Sequence, residues 1–271
     1  MSHQLQEILS SLRGLAPFPQ VAVKAMRLRK SEDVTPAEFI EVIECDPGIS
    51  AAVLKEANSA QRGAVELCES IREAGNQLGT RRLNRILMKA CARDCFNGLG
   101  DSTPRSSRSL WNECVVTACT ARFLALQDDC VDPDLAYTAG LLQNVGHIVL
   151  DRYIGDARNE IQNITQHTGD TERDAFELIQ AERRVLGIDH SELGAQLAKR
   201  WGFPEELVDA IAHHHEPSKS QRSNLCTVTS YAEQIAWRLL ESGASCFERN
   251  GQQPLEELLE TLSEEGIAIA A

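Results

Sequence analysis

The histidines of this chain are concentrated in its second half, where they could bind a metal or transfer protons. Four of the seven histidines are His190 and the consecutive run from His213 to His215, which Glu216 follows. Imidazole titrates near neutral pH and is a common ligand for transition metals. Adjacent helix positions point about 100° apart, so the run cannot direct three rings at one ion. We predict a polar helix end with at most two inward rings. His190, taken alone, is typical of a packed or capping-region histidine.

A second candidate lies in the stretch 139–150, AGLLQNVGHIVL, which sets two side-chain amides into an apolar run. The apolar flanks predict a buried helix that Gln143 and Asn144 interrupt. Buried polar groups need hydrogen-bond partners, so these amides either serve packing or stand where a chemical site lies. Glu113 and Glu233 lie on other predicted helices and could join the amides if the bundle folds back on itself.

The sequence lacks the local motifs of several enzyme classes. It contains no GxSxG elbow, no glycine-rich phosphate loop and no HExxH. The nine cysteines are odd in number and include no CxxC pair, which argues against structural zinc and against a disulfide framework. Cys91 and Cys95 share a helix face, and core packing is the favoured interpretation. Such scattered thiols are typical of a reduced, cytoplasmic protein.

The formal net charge of −13 over 271 residues opposes binding to nucleic acids, because their phosphates would be repelled. The densest basic run follows one face of a predicted helix, and we interpret it as a solvated face. Its members are Arg81, Arg82, Arg85 and Lys89. No apolar stretch reaches the ~18 residues that would span a membrane, and the N-terminus lacks a secretory-type apolar segment. We therefore expect a cytoplasmic protein without nucleic-acid or membrane partners.

Helical periodicity dominates the chain, since apolar residues recur three and four positions apart and alternating runs are nearly absent. The sequence therefore predicts an all-α protein. Several helix starts are marked by a capping residue that is followed by proline or, three positions later, by glutamate. These starts are Thr35–Pro36, Asp46–Pro47, Asp132–Pro133 and Asp189. Trp111 and Trp201 lie on apolar helix faces and are predicted to be buried.

The stretch 97–107, NGLGDSTPRSS, is rich in Gly, Ser, Thr and Pro and forms the clearest linker. We place a subdomain boundary there. The predicted units are an N-terminal helical subdomain over 1–100, a helical core over 101–247 and a C-terminal helical tail over 248–271.

Seven segments occur in a recognisable order and spacing. They are LAPFPQVAVKAMRL, VIECDPGISAAVLKEANSA and EAGNQLGTRRL in the first half, and LWNECVVTA, AYTAGLLQNVGHIVL, DHSELGAQLAKRWGFPEELVDAIAHHHEP and YAEQIA in the second. As a set they resemble the HDOD domain, the HD-related output domain of bacterial signalling proteins, over residues 8–240. The resemblance implies a multi-helix bundle in which the N-terminal subdomain packs on an HD-like core.

The resemblance also implies how the candidate residues relate to a metal site. Catalytic HD domains hold metal through a histidine, a His-Asp pair, further histidines and a final acidic residue. Gln143 and Asn144 stand here in place of the pair, and neutral amides cannot supply the missing anionic ligand. We expect no catalytic residue, no cofactor and no bound metal. Four residues at the remaining positions are weak residual metal candidates: Glu113, His190, His214 and Glu233.

A degenerate metal site implies a non-catalytic signalling module that acts through protein–protein contacts. The family context suggests partners from cyclic di-GMP or kinase pathways, and it leaves the oligomeric state open. Two alternatives remain at this stage. One is a metal-dependent phosphohydrolase that uses the residual candidates as a relocated site. The other is a nucleotide or small-molecule sensor that uses the vacated cavity as a pocket.

The cap at Asp46 gives the first testable prediction. Asp46→Ala should lower the free energy of unfolding by ~1 kcal/mol, because backbone N–H groups at the start of the next helix lose their acceptor. Urea denaturation measures this, and Asp46→Asn, which keeps a capping oxygen, should retain most of the stability. An unchanged midpoint for Asp46→Ala would contradict the assignment.

Overall fold

The computed structural model describes residues 17–28, 35–60, 67–96, 107–127, 130–153, 171–220 and 223–242, together with a few single positions near 8–12, 160–165, 258 and 262. The described residues form helices and no strands, which confirms the all-α prediction. The helices are α1 (Gln20–Leu28), α2 (Pro36–Glu44), α3 (Pro47–Ala60), α4 (Ile71–Phe96), α5 (Ser107–Gln127), α6 (Pro133–Leu142), α7 (His147–Tyr153), α8 (Thr171–Leu186), α9 (His190–Trp201), α10 (Glu205–His213) and α11 (Ser223–Ser242).

Helix starts follow the local capping chemistry that the sequence indicates. At α2, Thr35 and Glu38 form a reciprocal capping box. Asp132 accepts two backbone N–H groups at the start of α6, and Asp189 accepts one from Glu192 in α9. Asp46 Oδ1 accepts from the backbone N–H groups of Gly48 and Ile49 at 3.0 and 3.1 Å, so the predicted cap of α3 is confirmed.

Two groups of helices pack against each other around a continuous apolar core. Helices α1 to α4 contact one another, while α5 packs most extensively on α6 and α11, and α9 packs on α10. Helix α4 also contacts α5 and α6, and buried apolar side chains extend from Phe18 to Leu239. The division into subdomains at 97–107 stays a prediction. The longest helices lack the length or apolarity to cross a membrane, as far as the described residues go.

The stretch 139–150 is not the single buried helix that its apolar flanks suggest. Helix α6 ends at Leu142, residues 143–146 form a turn, and α7 begins at His147. Contact with α9 explains the break. A Cβ atom on Gly146 would overlap the carbonyl oxygen of His190 and lie 2.8 Å from the backbone nitrogen of Gly194. The turn therefore lies directly against the first turn of α9, at a distance that only glycine permits.

Helices α5 and α6 approach each other closely at another glycine. A Cβ atom on Gly140 would lie 2.9 Å from backbone atoms of Ala118 and Thr117. This close approach brings the end of α6, and hence Gln143 and Asn144, beside the inward face of α5. Glu113 lies on that face, one helical turn before Thr117.

The interpretation of the basic run as a solvated face is wrong for two of its members. The Arg85 side chain is 16% exposed and pairs with Asp134 of α6 at 2.9 Å. The Lys89 ammonium lies 3.5 Å from Glu56 of α3, and the Lys89 side chain is 9% exposed. These cations are buried because carboxylates on neighbouring helices neutralise them, which the charge pattern of α4 alone does not show.

Trp201 is buried as predicted, where it packs against Phe18 and Phe203. Trp111 is only partly buried, since it lies at the edge of α5 between the Phe96 ring and the Arg93 guanidinium. The predicted C-terminal helical tail over 248–271 lies outside the described residues, apart from two buried leucines at 258 and 262.

Substitution of the glycine in the turn tests this arrangement. Gly146→Ala should lower the free energy of unfolding by at least ~2 kcal/mol, because the added methyl overlaps backbone that cannot move aside easily. Gly48→Ala is the matched control, since its Cβ would meet only Asp46 Oδ1 at an ordinary 3.4 Å. Equal denaturation midpoints for the two variants would show that the turn does not press on α9.

Candidate functional site

Side chains from five helices meet at the turn between α6 and α7. Helix α5 contributes Glu113, the turn contributes Gln143 and Asn144, and α11 contributes Glu233. The first residue of α9 and the residues after α10 add imidazoles. All four weak residual candidates and both amides are buried, and hydrogen bonds, ring contacts and an ion pair through His215 connect them. The members are Glu113, Gln143, Asn144, His190, His214 and Glu233.

The two amides bind two carboxylates. Asn144 Nδ2 donates to Glu113 Oε1 at 3.0 Å and to Glu233 Oε1 at 3.4 Å, and Gln143 Nε2 donates to Glu233 Oε1 at 3.1 Å. An ionised carboxylate only accepts, so the amide NH2 groups must face these oxygens. Gln143 Oε1 has no hydrogen-bond donor among the described residues. The amides thus neutralise part of a buried anionic pair through N–H dipoles.

A catalytic metal of HD type does not fit this half of the site. A cation held by Glu113 and Glu233 would face amide N–H groups, which repel it, rather than an aspartate and a histidine. If both amides were turned over, their oxygens would face the ion. Without the ion, however, these amide oxygens would lie against the carboxylate oxygens with no donor between them, which is unfavourable. The residues at these positions suit a hydrogen-bonded network.

A second half of the site is built from imidazoles around His190, whose side chain is 1% exposed. Its Nδ1 lies 2.7 Å from Glu182 Oε2, which also accepts from the His190 backbone N–H at 2.9 Å. Its Nε2 lies 2.9 Å from Nε2 of His215. The ring of His147 stacks on the His190 ring with centroids 4.2 Å apart. His190 is therefore held in one orientation by a buried carboxylate.

The histidine run after α10 directs two of its three rings inward, which confirms the prediction. His214 is fully buried, and the His215 side chain is 10% exposed. The His213 side chain is 32% exposed and faces Asp209. His214 Nδ1 lies 2.8 Å from the carbonyl oxygen of Ile211, so it carries the proton of the neutral ring.

Burial, together with the nearby His190, lowers the pKa of His214 to about 3. The ring is therefore neutral at physiological pH. Since Nδ1 is the donor, Nε2 keeps a free lone pair. That nitrogen is buried and has no hydrogen-bond partner within the described part of the chain.

An arginine forms ion pairs with both segments that carry the inward imidazoles. Arg183 of α8 lies 2.7 Å from Asp189, just before His190, and 2.9 Å from Glu216, just after His215. Its neighbour Glu182 points to the opposite side, toward His190. Helix α8 thus sets the distance between the start of α9 and the end of α10.

Sequence reasoning missed Glu182 and His147 as members of the site, and it did not say that His215 is the second inward ring of the histidine run. Glu182 had a visible signal, because it falls at helical spacing between Ile179 and Leu186 on the buried face of α8. A carboxylate on an apolar stripe indicates a buried partner. His147 had no such signal, since its position depends on the turn after Leu142.

An all-helical scaffold with this constellation defines an HD-related domain. The chain belongs to the HDOD family: the family model for the HDOD domain matches residues 15–217. This confirms the resemblance found in the sequence. The family is related to the HD phosphohydrolases.

Among curated proteins, an uncharacterized protein of Treponema pallidum (strain Nichols) is 29% identical over 216 residues, which is 77% of this chain. The match covers 39% of that protein, so this chain spans well under half the length of its relative.

Three solved structures share the fold. An HDOD domain protein of unknown function from Geobacter sulfurreducens has a TM-score of 0.73 at 24% identity, with 97% of this chain and 85% of that chain covered. A protein from Shewanella amazonensis, described provisionally as a phosphohydrolase, has a TM-score of 0.67 at 22% identity, with 99% of this chain and 90% of that chain covered. A protein from Marinobacter aquaeolei, described provisionally as acting in signal transduction, has a TM-score of 0.66 at 23% identity, with 98% of this chain and 58% of that chain covered. At these identities the likeness shows the fold alone.

The amide–carboxylate network predicts a pH-dependent effect of one substitution. Asn144→Asp places a third carboxylate beside Glu113 and Glu233, which should cost ~3 kcal/mol of stability at pH 7.5. Like charges raise the folded-state pKa of at least one carboxyl above its unfolded value of ~4. The loss is therefore complete above the raised pKa and shrinks as pH falls toward the unfolded value.

Urea denaturation of Asn144→Asp at pH 7.5 and pH 5 measures this effect. Asn112→Asp makes the same chemical change one residue from Glu113, on a half-buried part of α5, and should be nearly neutral at both pH values. A stability loss for Asn144→Asp that is the same at both pH values would contradict the network.

Proposed function

We propose that this HDOD domain is a non-catalytic signalling module that acts by binding other proteins. The observation that carries the proposal is the contact of both amides, Gln143 and Asn144, with the carboxylates Glu113 and Glu233. Hydrogen bonds between neutral donors and buried carboxylates complete this centre without an ion. A scaffold that keeps its packing while its metal pair is replaced favours a binding role.

Phosphodiester hydrolysis by an HD site needs a metal that both activates water and polarises the phosphate. Both tasks need anionic or imidazole ligands that fix the ion, together with access for water and substrate. Where a catalytic HD domain has its His-Asp pair, this chain offers neither such ligands nor such access, since the residues there are amides and Gln143 is 0% and Asn144 2% exposed. This burial also disfavours a small-molecule sensor, because a ligand would have to displace the amides from their hydrogen bonds.

For the partner, we propose a signalling enzyme, such as a diguanylate cyclase, a cyclic di-GMP phosphodiesterase or a histidine kinase. The support is family membership and the provisional signal-transduction description of one protein of the same fold. The formal charge of −13 favours a protein surface with a basic patch over a nucleic acid.

A metal-dependent phosphohydrolase is the second candidate, and the imidazoles of His190, His214 and His215 favour it. Assays with bis(p-nitrophenyl) phosphate, cyclic di-GMP and nucleotides in the presence of Mn²⁺ separate the two. We expect no turnover above that of buffer with metal alone. Turnover that His190→Gln and His214→Gln abolish, while His213→Gln preserves it, would overturn the proposal.

Binding to a signalling enzyme is tested by calorimetric titration of the domain into each of the three enzyme classes from the same organism. We expect one class to bind in the absence of added nucleotide, with affinity that weakens at high salt because charge contributes. Lack of binding to all three classes would refute the partner assignment.

A further inference from the structure

Three imidazoles, two of them buried and one half-buried, lie close together. One ring nitrogen from each of His190, His214 and His215 lies within 4.8 Å of the others. The ring centroids are 5.5 Å apart for His190 and His214, 5.0 Å for His190 and His215, and 4.0 Å for His214 and His215. These residues come from the start of α9 and from the segment after α10.

Each ring has its outer nitrogen engaged by an oxygen. Nδ1 of His190 faces Glu182 at 2.7 Å, and Nδ1 of His214 faces the Ile211 carbonyl at 2.8 Å. Nδ1 of His215 lies 3.4 Å from Glu233 Oε2. A neutral imidazole whose Nδ1 donates to an oxygen keeps its lone pair on Nε2. The Nε2 lone pairs of the three rings therefore point toward the shared centre.

Such an arrangement is unfavourable without a positive charge at its centre. His190 Nε2 and His215 Nε2 are 2.9 Å apart, so one of them must carry a proton unless a cation lies between them. A neutral His215 cannot both donate to His190 through Nε2 and donate to Glu233 through Nδ1. His214 Nε2 is buried without a hydrogen-bond partner in the described part of the chain, while its Nδ1 faces the Ile211 carbonyl oxygen.

We propose that His190, His214 and His215 bind one divalent transition-metal ion of the zinc class. Three imidazole nitrogens suit Zn²⁺, whereas Mg²⁺ and Ca²⁺ prefer oxygen ligands. Tetrahedral Zn–N bonds of about 2.0–2.1 Å place neighbouring nitrogens ~3.3 Å apart. The His190–His215 pair therefore needs to open by only a few tenths of an ångström.

Glu182 acts as a positioning residue. Its Oε2 fixes both the Nδ1 proton and the backbone N–H of His190, which orients Nε2 inward. Carboxylate–histidine–metal arrangements of this kind raise the basicity of the imidazole. The His147 and His215 side chains are 14% and 10% exposed, so the cluster lies close to the protein surface.

The bound ion stabilises the fold. It joins the first residue of α9 to the segment after α10, which Arg183 already holds together from outside. Binding to the native state alone stabilises that state by mass action. The site goes beyond the proposed signalling role, since it uses other residues than the amide–carboxylate network.

The test uses the full chain, stripped of metal by a chelator and dialysed. Zn²⁺ titration followed by calorimetry should give one ion per chain and a higher melting temperature. Co²⁺ should give the strong visible absorption of a four-coordinate ion. His190→Gln, His214→Gln and His215→Gln should each lose the high-affinity site, while His213→Gln, the matched control on the exposed neighbour, should keep it.

Glu182→Gln separates positioning from ligation. It should retain one ion per chain with affinity about 10- to 100-fold weaker, because the second partner of His190 is weakened but the ligands remain. Affinity equal to that of the unaltered chain would overturn the positioning role of Glu182.

X-ray absorption of the zinc-loaded unaltered chain covers the case in which a histidine variant fails to fold. Three imidazole ligands are expected, and two or fewer would overturn the assignment. The absence of one-to-one binding, as expected if His215 is instead a stable imidazolium, would also overturn it. Zinc-dependent hydrolysis would overturn only the proposed function, whereas failure to bind zinc would overturn only this inference.

Discussion

Buried carboxylates must be neutralised, and the centre of this domain is arranged around that constraint. Glu113, Glu182 and Glu233 are each at most 5% exposed. An unpaired carboxylate at such depth would be too costly to keep ionised. Two of them are engaged by the amides at the α6–α7 turn, and Glu182 is engaged by His190. The turn must therefore reach the interior, which is why it lies against the backbone of α9.

This constraint links packing to the proposed role. The glycines at 140 and 146 permit the close backbone contacts that bring α5, α6 and α9 around the network. Both amides at the turn are buried and donate hydrogen bonds to carboxylates on α5 and α11, so a conformational change there would break several contacts at once.

Local signals made much of the fold predictable. Capping motifs involve residues three or four positions apart, so the starts of α2, α3, α6 and α9 could be predicted from sequence. The six site positions that the resemblance implies are all buried, and their role as a former metal site stays a prediction. The turn after Leu142 could not be predicted, because its cause is the backbone at His190, far along the chain. The burial of Lys89 likewise depends on Glu56 of another helix, and the sequence pattern within α4 contains no trace of it.

Our central claim is that the two halves of the site differ: carboxamides exclude a metal from the carboxylates, and imidazoles attract one. Anomalous scattering at the zinc edge from crystals grown with Zn²⁺ tests this most directly. The account predicts one peak about 2.0–2.1 Å from the Nε2 atoms of His190, His214 and His215, with Asn144 still bonded to Glu113. A peak ligated by Glu113 or Glu233, with the amides turned aside, would contradict it.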